Sequence, residues 1–160
     1  QASMGIMPSS IFKKGNIGLV SRSGTLTYEL VDLISRAGLG ISTAVGIGGD
    51  RVIGARFIET LKAFDHDEDT LAVAMVGEIG GSDEEEAAEM IPSLSRISNK
   101  IVGFIGGRTA PPGKAMGHAG AIVEGNKGTP QSKVEALESV GVPVPERLSE
   151  MPDILKGVIS

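Results

Sequence analysis

Residues 71–81 read LAVAMVGEIGG, and this stretch decides the fold class. The run 71–76 is entirely apolar, which is the pattern of a strand that is buried on both faces. Such strands occur in parallel sheets that carry helices on either side. Glu78 and three glycines follow the apolar run directly. The stretch therefore predicts a buried parallel strand that leads into a glycine-rich turn.

The same order of apolar strand, turn and amphipathic helix recurs along the chain. We predict four more strands, at residues 17–20, 41–47, 101–105 and 142–144. Apolar residues with helical spacing lie between them, and strands that alternate with helices form βαβ units. The sequence thus predicts an α/β fold of three layers, a flavodoxin-like parallel sheet with helices on both faces and the strand order 2-1-3-4-5.

The composition limits the class of protein. A chain of 160 residues is near the common single-domain size, so we predict one domain over residues 5–160. Residues 1–4 fit no element and are interpreted as a tag or linker. The net charge of −5 and the 3% aromatic content argue against a nucleic-acid partner. The absence of cysteine excludes disulfides and thiolate chemistry, and no apolar run has the length of a membrane span.

Four glycine-rich segments carry the candidate chemistry. In parallel α/β sheets, ligands bind beyond the carboxyl ends of the strands. Three of the segments follow predicted strands directly, and the fourth lies in a long stretch without clear periodicity. All four are expected at the same rim of the sheet; they are residues 21–25, 46–50, 77–81 and 117–120.

Residues 21–25, Ser-Arg-Ser-Gly-Thr, lead straight into a predicted helix. The N–H groups at a helix N-terminus are unsatisfied and attract anions, and Gly24 would let an anion approach the backbone closely. Ser23 is also a good helix cap. Helix capping and anion binding are both compatible with this segment.

Glu78 differs from the acids that follow it. Ser82 and Glu85 have the spacing of a capping box, and the acids 83–86 complement the helix dipole, so these residues are expected to be structural or solvated. Glu78 precedes the cap and follows a buried strand, where a carboxylate is poorly solvated and needs a partner. Both a structural and a functional role remain open for it.

The chain has two histidines, and only one is a functional candidate. His66 lies in the acidic stretch 65–69, which we interpret as a solvated turn because its spacing fails the calcium-loop pattern. His118 lies between glycines and small residues in a long irregular segment, where functional loops are common. Without a second histidine or a cysteine nearby, no metal site is predicted, and His118 suits proton transfer or nucleophilic attack.

At these residues the sequence resembles the ligase domain of the succinyl-CoA synthetase alpha subunit. The resemblance extends over residues 5–160 and includes Lys127-Gly128-Thr129 and the closing helix. The motifs that carry it, in order along the chain, are Gly5 to Pro8, Ser21 to Glu29, Val45 to Asp50, Gly77 to Gly81, and Met116 to Ala121.

This resemblance implies a ligase that joins succinate to CoA through a phosphohistidine. His118 matches the phosphorylated histidine, and Glu78 matches the acid that holds its ring. The phosphate-binding start of a helix and a substrate-lining loop are matched respectively by Ser23, Gly24 and Thr25, and by Gly48, Gly49 and Asp50.

The resemblance also implies partners. No cofactor is expected on this domain alone; CoA, ATP or GTP, and Mg are expected on partner domains or on a separate beta subunit with an ATP-grasp fold. The family's CoA-binding Rossmann domain has no counterpart in these 160 residues. The expected location is the cytoplasm, or the mitochondrial matrix in a eukaryote.

Three alternatives stay open at this point. A related acid–CoA ligase or citrate lyase-type domain, acting on malate, citrate or acetate, would share similar motifs. A serine hydrolase would use Ser23, Glu78 and His118, which have the required chain order, although the G-x-S-x-G elbow is incomplete. A receiver-like interaction module lacks the acidic cluster that it would need at the ends of the early strands.

Overall fold

A computed structural model of the chain describes residue 4 and residues 6–50, 52–109, 117–122 and 128–160. Apart from Met4, the interpreted tag or linker at residues 1–4 lies outside the described residues. So do Gly5, Met116 and Lys127, which belong to the resemblance motifs.

The described residues form a four-stranded parallel sheet with the order β2-β1-β3-β4. The strands are β1 (Lys14–Ser21), β2 (Ile41–Gly46), β3 (Ala72–Glu78) and β4 (Ile101–Gly106). Every residue of β3 is buried, as the apolar run predicts. The strand extends two residues beyond the apolar run 71–76. Glu78 is therefore the last residue of β3 and not part of the turn that follows the strand.

Five helices cover both faces of the sheet. They are α1 (Gly24–Arg36), α2 (Phe57–His66), α3 (Asp83–Met90), α4 (Pro130–Ser139) and α5 (Met151–Ile159). Helices α2, α3 and α4 pack on the face that includes Val73 and Met75, and α1 and α5 pack on the face that includes Ala74 and Val76. The predicted three-layer α/β architecture is therefore confirmed. None of the described helices has the length and apolarity that a bilayer crossing requires.

The prediction of a fifth strand at residues 142–144 is wrong. This segment lies beside β4, where Gly103 N–H donates to the Pro143 carbonyl over 2.9 Å. Proline has no N–H to return to the ladder, and a strand pairing cannot be continued through it. The described sheet thus ends at β4, with residues 142–144 as extended chain along its edge.

The capping box predicted at Ser82 is also absent. The Ser82 hydroxyl donates to Glu86 over 2.7 Å, and Glu85 turns instead toward α4, where it contacts Ser132 and Lys133. Ser23 does cap α1, because its side chain accepts the Leu26 N–H over 3.3 Å.

Asp65, at the end of α2, is buried rather than solvated as the acidic stretch suggested. Burial alone raises the pKa of Asp65, but hydrogen bonds from three backbone N–H groups and the Ser95 hydroxyl outweigh it and lower the pKa from 3.8 to about 2. The backbone donors are Ser95, Arg96 and Ile97. The carboxylate thereby fastens α2 to the turn before β4.

We expect Asp65→Asn to lower the free energy of unfolding by about 2 kcal/mol at neutral pH, from the lowered pKa. Because the folded pKa is depressed, this stabilisation is complete above pH 4 and is lost as the pH falls toward 2. Urea unfolding at several pH values measures it. The exposed Asp69→Asn is the matched control, and equal effects of the two substitutions would contradict the assignment.

Candidate active site

Glu78 and His118 meet at the carboxyl end of the sheet. The His118 Nδ1 atom lies 2.8 Å from Glu78 Oε2, which is within hydrogen-bond distance. The Glu78 side chain is only 10% exposed, whereas His118 is 35% exposed. An ionised carboxylate only accepts hydrogen bonds, so Nδ1 carries the proton and Nε2 carries a free lone pair. The ring is therefore held on one side and open on the other.

The start of α1 faces the same space as the His118 ring. A cavity of about 370 Å³ is lined by Ser23 and Thr25 from this helix start and by Glu78 and His118 from the pair. Gly106 and Gly107, at the end of β4, form another part of its wall. In the first turn of a helix, N–H groups have no intrahelical partner, and the helix dipole adds positive potential. The arrangement suits an anion held next to the free nitrogen of His118.

The loop after β2 packs directly against the Glu78 and His118 side chains. A side chain at Gly49 would place its Cβ 2.3 Å from Glu78 Oε1 and 2.5 Å from the His118 ring, so only glycine fits there. The Gly49 carbonyl also accepts the Gly120 N–H over 3.0 Å, which fastens the His118 segment to this loop. Gly48 has a φ of +82°, which favours glycine, and Asp50 lines a second, larger cavity of about 1020 Å³. Gly49 thus serves the geometry of the pair.

Behind Glu78 lies a buried ionic cluster that sequence reasoning missed. It consists of Arg22, Glu84, Glu85 and Lys133, and both the Glu84 and the Lys133 side chains are fully buried. Glu84 was expected to be structural or solvated at the helix surface. One signal was available for Lys133, since it lies four residues before the buried Leu137 and thus on the inward face of α4. Its partners are about 50 residues away in sequence, which periodicity does not reveal.

Most of the chain matches the CoA-ligase family model, over residues 20–142. The chain belongs to the CoA-ligase family. It is 53% identical over 156 residues to a succinate–CoA ligase [ADP-forming] subunit alpha 2 of Archaeoglobus fulgidus, covering 98% of this chain and 53% of that protein. It is 56% identical over 151 residues to the subunit alpha of Staphylococcus aureus, covering 94% of this chain and 49% of that protein. The chain spans about half the length of these relatives.

Solved structures agree with the family assignment. An ATP citrate lyase of Methanosaeta concilii, in complex with (3S)-citryl-CoA, matches with a TM-score of 0.83 and 28% identity, over 94% of this chain and 25% of that one. An acetyl-coenzyme A synthetase of Ca. Korarchaeum cryptofilum matches with a TM-score of 0.63 and 20% identity, over 90% of this chain and 30% of that one, which shows the shared fold. The chain therefore shares its fold with both of these structures.

We expect Gly49→Ala to break the contact between Glu78 and His118, because the new Cβ occupies the space of both side chains. Nitrogen-15 NMR of the two histidine rings at alkaline pH measures the result. Loss of a charge-assisted hydrogen bond is expected to reduce the preference for the Nδ1–H tautomer of His118 roughly tenfold.

Gly46→Ala is the matched control, since a Cβ at Gly46 meets nothing within 4 Å and its φ is not positive. His118 in this variant is expected to keep its tautomer. If the His118 tautomer ratio is the same in Gly49→Ala as in Gly46→Ala, the close packing of this loop against Glu78 and His118 is refuted.

Proposed function

We propose that this chain is the ligase domain of a succinate–CoA ligase alpha subunit and that His118 carries phosphate between a nucleoside triphosphate and succinate. The observation that supports this most directly is the hydrogen bond of 2.8 Å between His118 Nδ1 and the buried Glu78 carboxylate. The names of relatives that are 53–56% identical support succinate as the acid. The phosphohistidine role itself rests on the geometry of the pair and on the motif resemblance.

Glu78 prepares the ring for attack on phosphorus. By accepting a hydrogen bond from Nδ1–H it leaves the Nε2 lone pair as the nucleophile. The Nε2–P bond forms as the bridging P–O bond of the nucleotide breaks, and the nucleoside diphosphate leaves with that electron pair. The ring then carries positive charge, and the adjacent carboxylate stabilises it. No proton has to leave the ring during this step.

The start of α1 supplies the second half of the site. Ser23 and Thr25 line the cavity into which the free side of His118 opens. The first-turn N–H groups and the helix dipole stabilise the charge on the phosphoryl oxygens as the phosphate moves to and from the ring. In the following steps, a succinate carboxylate takes the phosphoryl group as the Nε2–P bond breaks, and the ring regains its lone pair. The CoA thiol then loses its proton and displaces phosphate from the acyl phosphate to give succinyl-CoA.

The remaining components belong to partner domains in this proposal. The nucleotide, and the Mg that accompanies it, is expected on a beta subunit with an ATP-grasp fold, and CoA on a Rossmann domain outside these 160 residues. The chain spans only about half of its alpha-subunit relatives, which is consistent with this division. His118 then serves as the relay between sites on different domains.

The serine hydrolase alternative loses support in the structure. Ser23 lines the same cavity as Glu78 and His118, so the three residues that such a hydrolase would use do converge. However, the Ser23 hydroxyl accepts the Leu26 N–H as a helix cap, and among the described residues no hydrogen bond joins it to the His118 ring. A nucleophilic serine needs that bond to pass its proton to the histidine.

In complex with a beta subunit and labelled nucleoside triphosphate, this chain is expected to gain one phosphate that is labile in acid and stable in base. His118→Asn abolishes the label. Glu78→Gln removes the charge that stabilises the ring and slows labelling roughly 10- to 150-fold, the equivalent of about 1.5–3 kcal/mol. Quench-flow labelling with acid and base stability tests measures both effects.

His66→Asn is the control for histidine loss, because that exposed ring bonds the Lys62 carbonyl within its own helix. It is expected to label as the unmodified chain does. Ser23→Ala is also expected to keep the label on His118. Label that survives His118→Asn, or that transfers to Ser23, would overturn the proposed function.

A further inference from the structure

The ionic cluster behind the active site forms a line of alternating buried charges. Glu84 contacts Lys133 on one side and Arg22, at 3.0 Å, on the other. Lys133 also holds Glu85 at 2.8 Å, and Arg22 reaches toward Glu78 at 3.4 Å. Three carboxylates against two cations leave one negative charge in excess. Glu78 lies at the end of the line that faces His118.

Arg22 directs its hydrogen bonds to groups other than the Glu78 carboxylate. Its Nη1 atom lies 3.0 Å from Glu84 Oε1, 3.0 Å from the Gly80 carbonyl and 3.4 Å from the Glu78 backbone carbonyl. Its Nη2 atom forms an ion pair with Glu78 Oε1 at 3.4 Å, but no hydrogen bond. Within the described part of the chain, Glu78 Oε1 is buried and has no hydrogen-bond partner. The Glu78 carboxylate therefore makes its one side-chain hydrogen bond to His118.

Glu84 is built into this position by the end of β3. Its Oε1 atom also accepts the Glu78 backbone N–H over 3.0 Å. The carboxylate fits there because residue 77 is glycine; a Cβ on Gly77 would lie 2.6 Å from Glu84 Cγ and Oε1. A buried carboxylate costs several kcal/mol unless it is paired, so this placement requires its two cationic partners.

We propose that Glu84 is a positioning residue, which holds Arg22 in an ion pair with the Glu78 carboxylate that lacks a hydrogen bond, and so leaves the hydrogen bond of that carboxylate to the His118 ring. Without the charge on Glu84, the Arg22 guanidinium moves closer to the unbonded Glu78 Oε1 and donates a hydrogen bond to it. The hydrogen bond from His118 Nδ1–H then weakens, because Arg22 and His118 compete for the charge of the same carboxylate. This inference rests on the proposed function for its catalytic meaning, but the geometry that it concerns does not.

Glu78 is the charged residue that bonds His118 within the described part of the chain. Among the described residues that line the 370 Å³ cavity, Glu78 and His118 are the titratable ones. The larger cavity, which Ala119 and Gly120 line beside the His118 segment, carries more charged groups: Arg22, Asp50, Arg56, Asp83 and Glu85. Of these, Arg56 is engaged by Asp83 and by Glu86.

The tautomer of the His118 ring tests the proposal in the chain alone, without nucleotide or partner. At alkaline pH, nitrogen-15 NMR gives the ratio of Nδ1–H to Nε2–H. In Glu84→Gln we expect this ratio to fall at least about threefold, as the charge-assisted bond weakens. In Arg22→Gln/Glu84→Gln, where no guanidinium competes for Glu78, the ratio is expected to return to that of the unmodified chain.

Glu85→Gln is the matched control, since it removes the same charge from the line but contacts neither Arg22 nor Glu78. It is expected to leave the ratio unchanged. His66 is an internal reference, because its Nδ1 lies 2.7 Å from the Lys62 carbonyl in α2, a helix that none of these substitutions changes. An unchanged ratio in folded Glu84→Gln, or an equal fall in Glu85→Gln, would overturn the proposal.

Arg22→Gln gives an independent arm if Glu84→Gln does not fold. The proposal expects this single variant to keep or raise the Nδ1–H ratio, whereas a purely structural role for Arg22 in orienting Glu78 predicts a loss. A loss would therefore overturn the proposal. If His118 of the unmodified chain were never phosphorylated in the complex, the proposed function would fail while these ratios would still decide the role of Glu84.

Discussion

The hydrogen bond between the Glu78 carboxylate and the His118 ring is the interaction on which the rest of this site depends. A carboxylate at the end of a strand that is buried on both faces is costly to maintain, so its surroundings must compensate it. The distance of 2.8 Å and the unequal exposure of the two side chains give the ring one fixed nitrogen and one open nitrogen. A nucleophilic histidine requires this asymmetry.

The parallel sheet itself places two components of the site, the start of α1 and Glu78, next to each other. β1 ends at Ser21, where the next residues begin α1, and β3 ends at Glu78. Ser21 pairs with Val76 in the register of these adjacent strands, so the helix start and the acid are neighbours by construction. Because Gly49 has no side chain, the His118 ring can pack closely against its backbone at the same edge of the sheet. The shared CoA-ligase architecture supplies the frame, and short segments at one edge supply the chemistry.

Local patterns predicted the layers and the helix cap at Ser23, and the family resemblance predicted the pairing of Glu78 with His118. The apolar run before Glu78 was sufficient to predict β3, because a strand that is buried on both faces consists of consecutive apolar residues. The prediction of a fifth strand was wrong because of Pro143. Its apolar neighbours have the pattern of a strand, but proline lacks the N–H that strand pairing needs. The pairing of Glu84 with Arg22 and Lys133 could not be predicted, because it joins α3 to the turn after β1 and to α4 across 62 and 49 residues. The sequence around Glu84 has the pattern of a polar helix with solvated acids. The structure shows that Glu84 is buried and that Gly77, which has no side chain, leaves the space for it.

The position of the phosphate on the His118 ring discriminates most directly between this account and its alternatives. A carboxylate that holds Nδ1–H leaves only Nε2 able to attack phosphorus. After reaction with a beta subunit and nucleoside triphosphate, phosphorus-31 and nitrogen-15 NMR of the isolated phosphoprotein assign the bonded nitrogen. Phosphate on Nε2 of His118 is the predicted result, with Nδ1–H still bonded to Glu78. Phosphate on Nδ1, or on any residue other than His118, would contradict the central role of this hydrogen bond.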